Sequence, residues 1–159
     1  MPDFQIRTAR REDCMLLVEL IRELADYEKL LHAMQASAAD IERSLFDEQS
    51  AHSVLAYEGD TVVGFALYFF NYSTFVGRKG LYLEDLFIRP VFRGKGYGKK
   101  LLLYLAQLAH EQGCGRMEWS VLNWNTSAIQ FYESLGAKPM DEWTIYRLDA
   151  DGLEGLGKR

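Results

Sequence analysis

The sequence predicts an α/β protein, a mixed central β-sheet flanked by helices on both faces, in the order β-α-α-β-β-β-α-β-α-β. Three observations carry this. Short runs in which apolar residues alternate with polar ones are interleaved with longer runs of helical period. Gly59-Asp60 separates two strand-like runs as a tight hairpin. The apolar and aromatic run Leu81 to Ile88 is stopped by Pro90 and passes through a glycine-rich turn into a long amphipathic segment.

Taken in order, Phe4 and Ile6 alternate with polar neighbours and open the chain as a short strand. Arg10 to Leu30 is a helix, with Leu16, Leu17, Leu20, Ile21, Leu24 and Tyr27 forming a broad apolar face. Ser37-x-x-Asp40 matches a capping box and opens a short helix through Phe46. Ser53 to Tyr57 and Thr61 to Tyr72 are the two strands of the hairpin, and residues 71–78 form a polar turn before the central strand. Leu101, Leu102, Leu105, Leu108 and Ala109 give the next helix its period, and Gly113 ends it. Arg116 to Leu122 is a strand. Residues 123–127 offer several caps for a last helix that stops at Gly136, and Glu142 to Leu148 is a final strand. The tail from Asp151, punctuated by Gly152, Gly155 and Gly157, is expected to fray.

A chain of 159 residues, 48% hydrophobic and 26% charged, suits one globular domain over residues 1–159. The net charge of -5 and pI near 5.2 argue against nucleic acid as the main partner and favour a cationic small substrate. Cys14 and Cys114 form neither a disulfide framework nor a metal spacing, and His32, His52 and His110 are scattered, so no metal is expected. No run is long enough to span a membrane and no signal pattern opens the chain. A reducing cytoplasm is the expected location.

The glycine turn carries the first functional signal. Arg93, Gly94, Lys95, Gly96, Tyr97, Gly98, Lys99 and Lys100 stand at a helix start, where free N–H groups and a partial positive charge attract anions. The P-loop pattern is not supplied. A Rossmann fingerprint is met only at Gly94 and Gly96, since Lys99 replaces the third glycine, although Glu118 lies near the spacing of a ribose-binding acid. A glycine turn into an ordinary helix with a solvated basic first turn is the plain alternative. Arg-x-x-Gly-x-Gly, as Arg93, Gly96 and Gly98, resembles the pyrophosphate motif of the GNAT superfamily of acetyl-CoA-dependent N-acetyltransferases.

The resemblance extends over nearly the whole chain. It is strongest to the spermidine/spermine (diamine) acetyltransferases and their thialysine-acetylating relatives. Its motifs are Glu23-Leu24-Ala25 with Tyr27-Glu28, Val63-Gly64-Phe65-Ala66, Leu81-Tyr82-Leu83-Glu84-Asp85, Trp124-Asn125, and Tyr132 with Gly136-Ala137. The turn Tyr72-Ser73-Thr74-Phe75 with Gly77-Arg78 is closer to the thialysine branch. The resemblance implies the GNAT fold, with a bulge in the central strand that splays it from the next strand to make a thioester slot. It implies that Leu86, Phe87 and Ile88 line the pantetheine, that Arg93 to Lys99 hold the pyrophosphate, and that Asn125 and Ser127 touch the far side of acetyl-CoA. It implies acceptor binding by Tyr27, Glu28, Glu84, Glu118, Trp119 and Ser120, and a homodimer.

Read from the residues alone, several of these have plainer roles. Tyr132 shares helical spacing with Ala128, Ile129 and Leu135 as a core tyrosine would. Asn125 and Ser127 suit helix capping, and Tyr27 and Glu28 an exposed helix end. Glu84 and Asp85 are adjacent acids in an apolar strand, facing opposite sides if alternation holds, and suit a structural ion pair or a functional site. The resemblance makes Tyr132 the proton donor to the departing thiolate and Glu84 the group that assists amine deprotonation, through water. A backbone N–H near Leu86 would hold the oxyanion. No activated nucleophile is recognisable, so the expected reaction is direct attack of a primary amine on the thioester. An amine of pKa about 10.4 is roughly one part in a thousand free base at neutral pH, so neutralising it costs about 4 kcal/mol, against about 2 for the thiol. Proton removal is therefore the larger problem. The expected acceptor is thialysine, a lysine-like amino acid, a diamine or a polyamine. A protein lysine or N-terminus, and a non-catalytic acyl-CoA sensor, are the alternatives.

Overall fold

The computed structural model describes residues 3–158. It divides into two compact units, one ending at Ser120 and the other beginning at Val121.

The first unit is built on one five-stranded sheet in the order β1-β2-β3-β4-β5. Its strands are β1 (Phe4–Thr8), β2 (His52–Glu58), β3 (Thr61–Ser73), β4 (Arg78–Ile88) and β5 (Met117–Trp119). The first four pair antiparallel, and β5 joins β4 parallel after a helical crossover. Gly59, at φ +59°, makes the hairpin turn between β2 and β3. Ser53, buried in β2, donates its hydroxyl to the Ala66 carbonyl at 2.8 Å.

The helices follow their predicted faces with tighter ends. The first, α1 (Cys14–Tyr27), is shorter than the predicted Arg10 to Leu30 because Asp13 accepts the Arg10 N–H at 2.7 Å in a preceding 3₁₀ turn. Its end is a Schellman motif, with Leu30 N–H to Ala25 carbonyl at 2.8 Å and Lys29 N–H to Asp26 carbonyl at 3.0 Å. Lys29 takes the left-handed position at φ +63°, where glycine is usual. The capping box of α2 (Ala38–Glu42) is present in both directions, Ser37 to Asp40 and back, and the helix runs on into a π turn at Arg43–Asp47.

Leu17, Leu20 and Leu24 of α1 pack with Leu45, Leu55, Phe65 and Phe87 into one core. Each fully buried leucine contributes about 2 kcal/mol of apolar transfer. The helix α3 (Tyr97–Glu111) buries Tyr97, Leu101, Leu102, Leu105 and Ala109 and packs on β4. Arg89, just past β4, clamps it to α1. Its guanidinium meets Glu23 at 2.8 to 3.2 Å and donates to the Val62 carbonyl at 3.3 Å.

Three expectations are corrected. The strand predicted at Arg116 to Leu122 is only Met117–Trp119. The strand predicted at Glu142 to Leu148 is not formed among the described residues. Among its described residues the second unit has no sheet of its own, and a strand without a neighbour has no ladder to hold it. The tail, expected to fray, is the helix α5 (Ala150–Gly157), started by the Asp149 carboxylate accepting the Gly152 N–H at 2.9 Å. The other helix of that unit, α4 (Thr126–Ser134), is capped by Asn125 and ended by Gly136 at φ +90°, as predicted. Among the described residues no helix is long and apolar enough to cross a membrane.

Candidate active site

The site starts from an irregularity in the central strand. Leu67 of β3 pairs with Asp85 and its neighbour Tyr68 pairs with Leu83, which leaves Glu84 without a partner. This is a β-bulge of one residue. On the other side, β5 pairs with Leu81, Tyr82 and Leu83, so beyond the bulge residues 85–88 of β4 are laddered to β3 alone. The implied bulge is present, and it coincides with the end of the β4–β5 ladder. The backbone edge of Leu86 to Ile88 is thereby left for another partner.

The bulge also breaks the regular alternation from which Glu84 and Asp85 are expected to face opposite sides. Beyond it, Phe87 and Asp85 lie toward α1, while Leu86 and Ile88 border Gly98 of α3. Glu84 drops out of the ladder into solvent, yet it stays close enough to raise the pKa of both Glu28 and Asp85. Glu28 sits at the C-cap of α1, turned by the Schellman motif into an open hollow of about 200 Å³. Ile21, Leu24, Leu30 and Met34 give the hollow apolar walls, and Glu28 and Asp85 are the acids that line it among the described residues. Burial first, then the nearby Glu84, pushes the Glu28 carboxyl up. Burial, then Glu84 and Glu28, pushes Asp85 up to about 7.

The other predicted acceptor residues fall at two places. Tyr27 lies under the Arg93 guanidinium, 4.5 Å from the ring centroid. Glu118, Trp119 and Ser120 lie along β5 and just past it, beside Tyr82 and Leu83. Glu118 pairs with Arg116 at 3.3 Å, and the Ser120 and Tyr82 hydroxyls share a hydrogen bond of 2.8 Å.

The glycine turn is formed, with its backbone open to solvent. Gly94 and Gly96 take φ of +83° and +81°, and a Cβ built at either would meet nothing within 4 Å. Gly96 is the N-cap of α3 and has no side chain to cap it, an arrangement that suits the first-turn N–H groups to an anion. This open, positively polarised turn fits a pyrophosphate. The side chains nearby are less free than expected. Arg93 donates from Nε to the Ile88 carbonyl at 2.8 Å and stacks over Tyr27 and Phe87. Lys95 pairs with Glu58 at 3.1 Å, while Tyr97 is buried, stacked on Phe4 with ring centroids 4.4 Å apart, and donates its hydroxyl to Glu58. These two hydrogen bonds hold the Glu58 carboxyl below its usual range. Glu58 therefore ties the turn to β2, a role hidden in the sequence because its partners lie 37 and 39 residues away. Lys99 is exposed on the first turn of α3.

In the second unit, Asn125 caps α4 through the Ala128 N–H at 3.4 Å, and Ser127 bonds the same Asn125 side chain at 3.4 Å. Tyr132 is half-buried on α4 beside Phe131, with ring centroids 5.7 Å apart, and its carbonyl accepts the Ala137 N–H at 3.2 Å.

A bulged central strand followed by a glycine turn into a helix is the arrangement that the resemblance to acetyltransferases implies. The acetyltransferase (GNAT) family model matches residues 16–137, and the chain belongs to that family. It is 36% identical to a thialysine N-epsilon-acetyltransferase of Mus musculus over the whole of both chains. It is 30% identical to the L-ornithine N5-acetyltransferase NATA1 of Arabidopsis thaliana, over 97% of this chain and 88% of that one. An integron cassette protein, VCH_CASS6, from the mobile metagenome of V. cholerae superposes with a TM-score of 0.81 at 31% identity, covering 98% of each chain.

Proposed function

We propose that this chain, as one acetyltransferase domain over residues 1–159, moves an acetyl group from acetyl-CoA to the primary amine of a small cationic acceptor. The best-supported acceptor class is an amino acid with an aminoalkyl side chain, such as thialysine. The observation that carries this is the apolar hollow bearing Glu28 and Asp85 beside Glu84, because it matches an alkyl chain ending in an ammonium. The thialysine and ornithine acetyltransferases among its relatives support the same class. Diamines and polyamines carry the same end group.

In this reading Gly94 to Lys99 and the N-terminus of α3 hold the pyrophosphate, Leu86 to Ile88 line the pantetheine arm, and Asn125 and Ser127 touch the far side of the co-substrate. Glu84 and its two acidic neighbours bind the ammonium and assist its deprotonation. Tyr27, Glu118, Trp119 and Ser120 border the acceptor, a backbone N–H near Leu86 steadies the oxyanion, and Tyr132 protonates the thiolate. The test is acetyl-CoA-dependent thiol release with thialysine, lysine, ornithine, putrescine, spermidine, spermine and a lysine peptide. Rapid turnover of one small amine is expected. Release with the peptide alone would replace the acceptor class, and no release with any amine would leave only acyl-CoA binding. Tyr132→Phe is expected to lower kcat by about 10²-fold while acetyl-CoA affinity stays within two-fold; an undiminished kcat would remove Tyr132 from the chemistry.

The reading includes a homodimer in a reducing cytoplasm. Trp143, Ile145 and Tyr146 are 72%, 76% and 91% exposed, an apolar stretch suited to a second copy, and both cysteines are free thiols. Sedimentation equilibrium should return twice the monomer mass of 18.3 kDa, and a monomer at micromolar concentration would reject the pairing.

A further inference from the structure

The turn into α3 alternates, as Gly94-Lys95-Gly96-Tyr97-Gly98, and the two residues between its glycines end on one atom. Lys95 donates from Nζ to Oε2 of Glu58 at 3.1 Å, and the Tyr97 hydroxyl donates to the same oxygen. Glu58 is the last residue of β2, and its side chain is only 13% exposed, so both donors meet a carboxylate held largely out of solvent.

Across the ladder Glu58 stands directly opposite Phe4 of β1. Directly opposed residues present their side chains on one face of the sheet. Together they make a socket for Tyr97. Its ring stacks on Phe4 with planes 18° apart, and its hydroxyl meets Glu58. Lys100, one helical turn into α3, lies over both rings, 5.3 Å from the Phe4 centroid and 5.9 Å from that of Tyr97. The Gly59 N–H, donating to the Asp3 carbonyl at 2.7 Å, ties the end of β2 to β1 beside the socket.

A turn of this composition needs such an anchor. Gly94 and Gly96 take left-handed backbone angles, and glycine loses more conformational freedom on ordering than any other residue. A turn ordered only when its ligand arrives loses that ordering cost from its affinity.

We propose that Glu58 is a positioning residue of the co-substrate site. By holding Lys95 and Tyr97 it keeps the turn in its binding shape before a pyrophosphate arrives, and it raises the affinity for acetyl-CoA without touching it. This rests on the reading that the turn holds the pyrophosphate. A carboxylate repels that group, so its contribution passes through the two donors it holds.

The experiment compares the wild-type chain with Glu58→Ala, Glu58→Gln and Tyr97→Phe. Calorimetry gives Kd for acetyl-CoA, NMR titration gives Kd for S-acetyl-pantetheine, which ends before the pyrophosphate, and amide hydrogen exchange is followed in the free protein. Glu58→Ala should raise Kd for acetyl-CoA about ten-fold and leave that for S-acetyl-pantetheine within about two-fold. It should also speed exchange at residues 94–98 while the core of β3 keeps its protection. Tyr97→Phe keeps the ring on Phe4 and removes one donor, so it should fold as the wild type does and raise Kd for acetyl-CoA about four-fold. Glu58→Gln keeps an acceptor oxygen and should stay within about two-fold of wild type, because the anchor is geometric. Unchanged acetyl-CoA affinity in Tyr97→Phe, equal losses for the two ligands, or a loss in Glu58→Gln as large as in Glu58→Ala overturns the positioning role while the pyrophosphate reading stands. Should Glu58→Ala fail to fold, Tyr97→Phe with its two ligands decides the question. Wild-type binding of acetyl-CoA no tighter than S-acetyl-pantetheine overturns the reading of the turn, and this role with it.

Discussion

Asp85→Asn is expected to make the protein more stable at pH 8, by up to about 4 kcal/mol, and to leave its stability nearly unchanged at pH 4. The Asp85 carboxyl is raised from 3.8 to about 7 by burial and by Glu84 and Glu28. Between those two values the folded state holds a proton that the unfolded state has lost. Stability from this group is therefore fully present below pH 3.8, falls as pH rises, and levels off above pH 7. At pH 8 the folded chain holds an ionised carboxylate in an apolar hollow, at a cost of about three pKa steps of 1.36 kcal/mol each. Asparagine has the same shape and never ionises, so the penalty is absent at every pH. For a chain of this size about 4 kcal/mol corresponds to a rise in Tm of roughly 8 to 16 °C. Thermal melts of both proteins at pH 4 and pH 8 check it. A stability gain equal at the two pH values would mean that ionisation is not the cause.

Such a gain is the mark of a residue kept for chemistry, because functional groups are commonly retained at the expense of stability. It also bears on what could be read from the sequence. The acidic pair was visible as an oddity in an apolar strand. Which of the two acids lines the hollow was not, since that depends on how β4 is registered against β3 67 residues into the chain. A one-residue bulge at Glu84 changes which faces two neighbours occupy, and no local signal distinguishes it from regular alternation. Glu28 was named by the resemblance, but its placement in the hollow was hidden for a similar reason. Its position depends on a Schellman turn whose left-handed residue is Lys29 rather than glycine, so the usual punctuation is missing.

Where the determinants are local, the residues were legible. The capping box at Ser37 and Asp40, the stop at Gly113, the cap at Asn125 and the αL glycines at 94 and 96 each depend on a few adjacent residues. The faces of α1 and α3 followed from helical period alone. The segment from Glu142 to Leu148 failed the other way. Its aromatic, β-branched composition reads as a strand, but composition supplies no partner, and Trp143, Ile145 and Tyr146 stay exposed. The tail helix is hidden because Gly152, Gly155 and Gly157 lower its helix propensity, while the Asp149 cap that starts it lies ahead of the glycine-rich run.

The second large effect is expected at Gly64. A Cβ there would stand 2.2 Å from the Phe87 carbonyl oxygen, 2.7 Å from Ile88 Cδ1 and 3.1 Å from Ile88 Cα. Two of these are backbone atoms of the paired strand β4, so no side-chain rotation relieves the overlap. Gly64 pairs with Ile88 at the end of the ladder that the bulge re-registers, next to the hydrogen bond of 2.8 Å from the Arg89 N–H to the Val63 carbonyl. Gly64→Ala must therefore push β3 from β4 along the segment that carries Asp85 and Leu86 to Ile88. Overpacking of this kind costs about 3 kcal/mol, or roughly 6 to 12 °C in Tm. Activity should fall further than stability, since moving Leu86 to Ile88 by a fraction of an ångström displaces the open backbone edge from the reacting atoms. Thermal melts and thiol release on the folded fraction separate the two effects. Wild-type stability in Gly64→Ala would show that β3 and β4 can part at this point, and full activity would mean that the edge beyond the bulge need not be held in place.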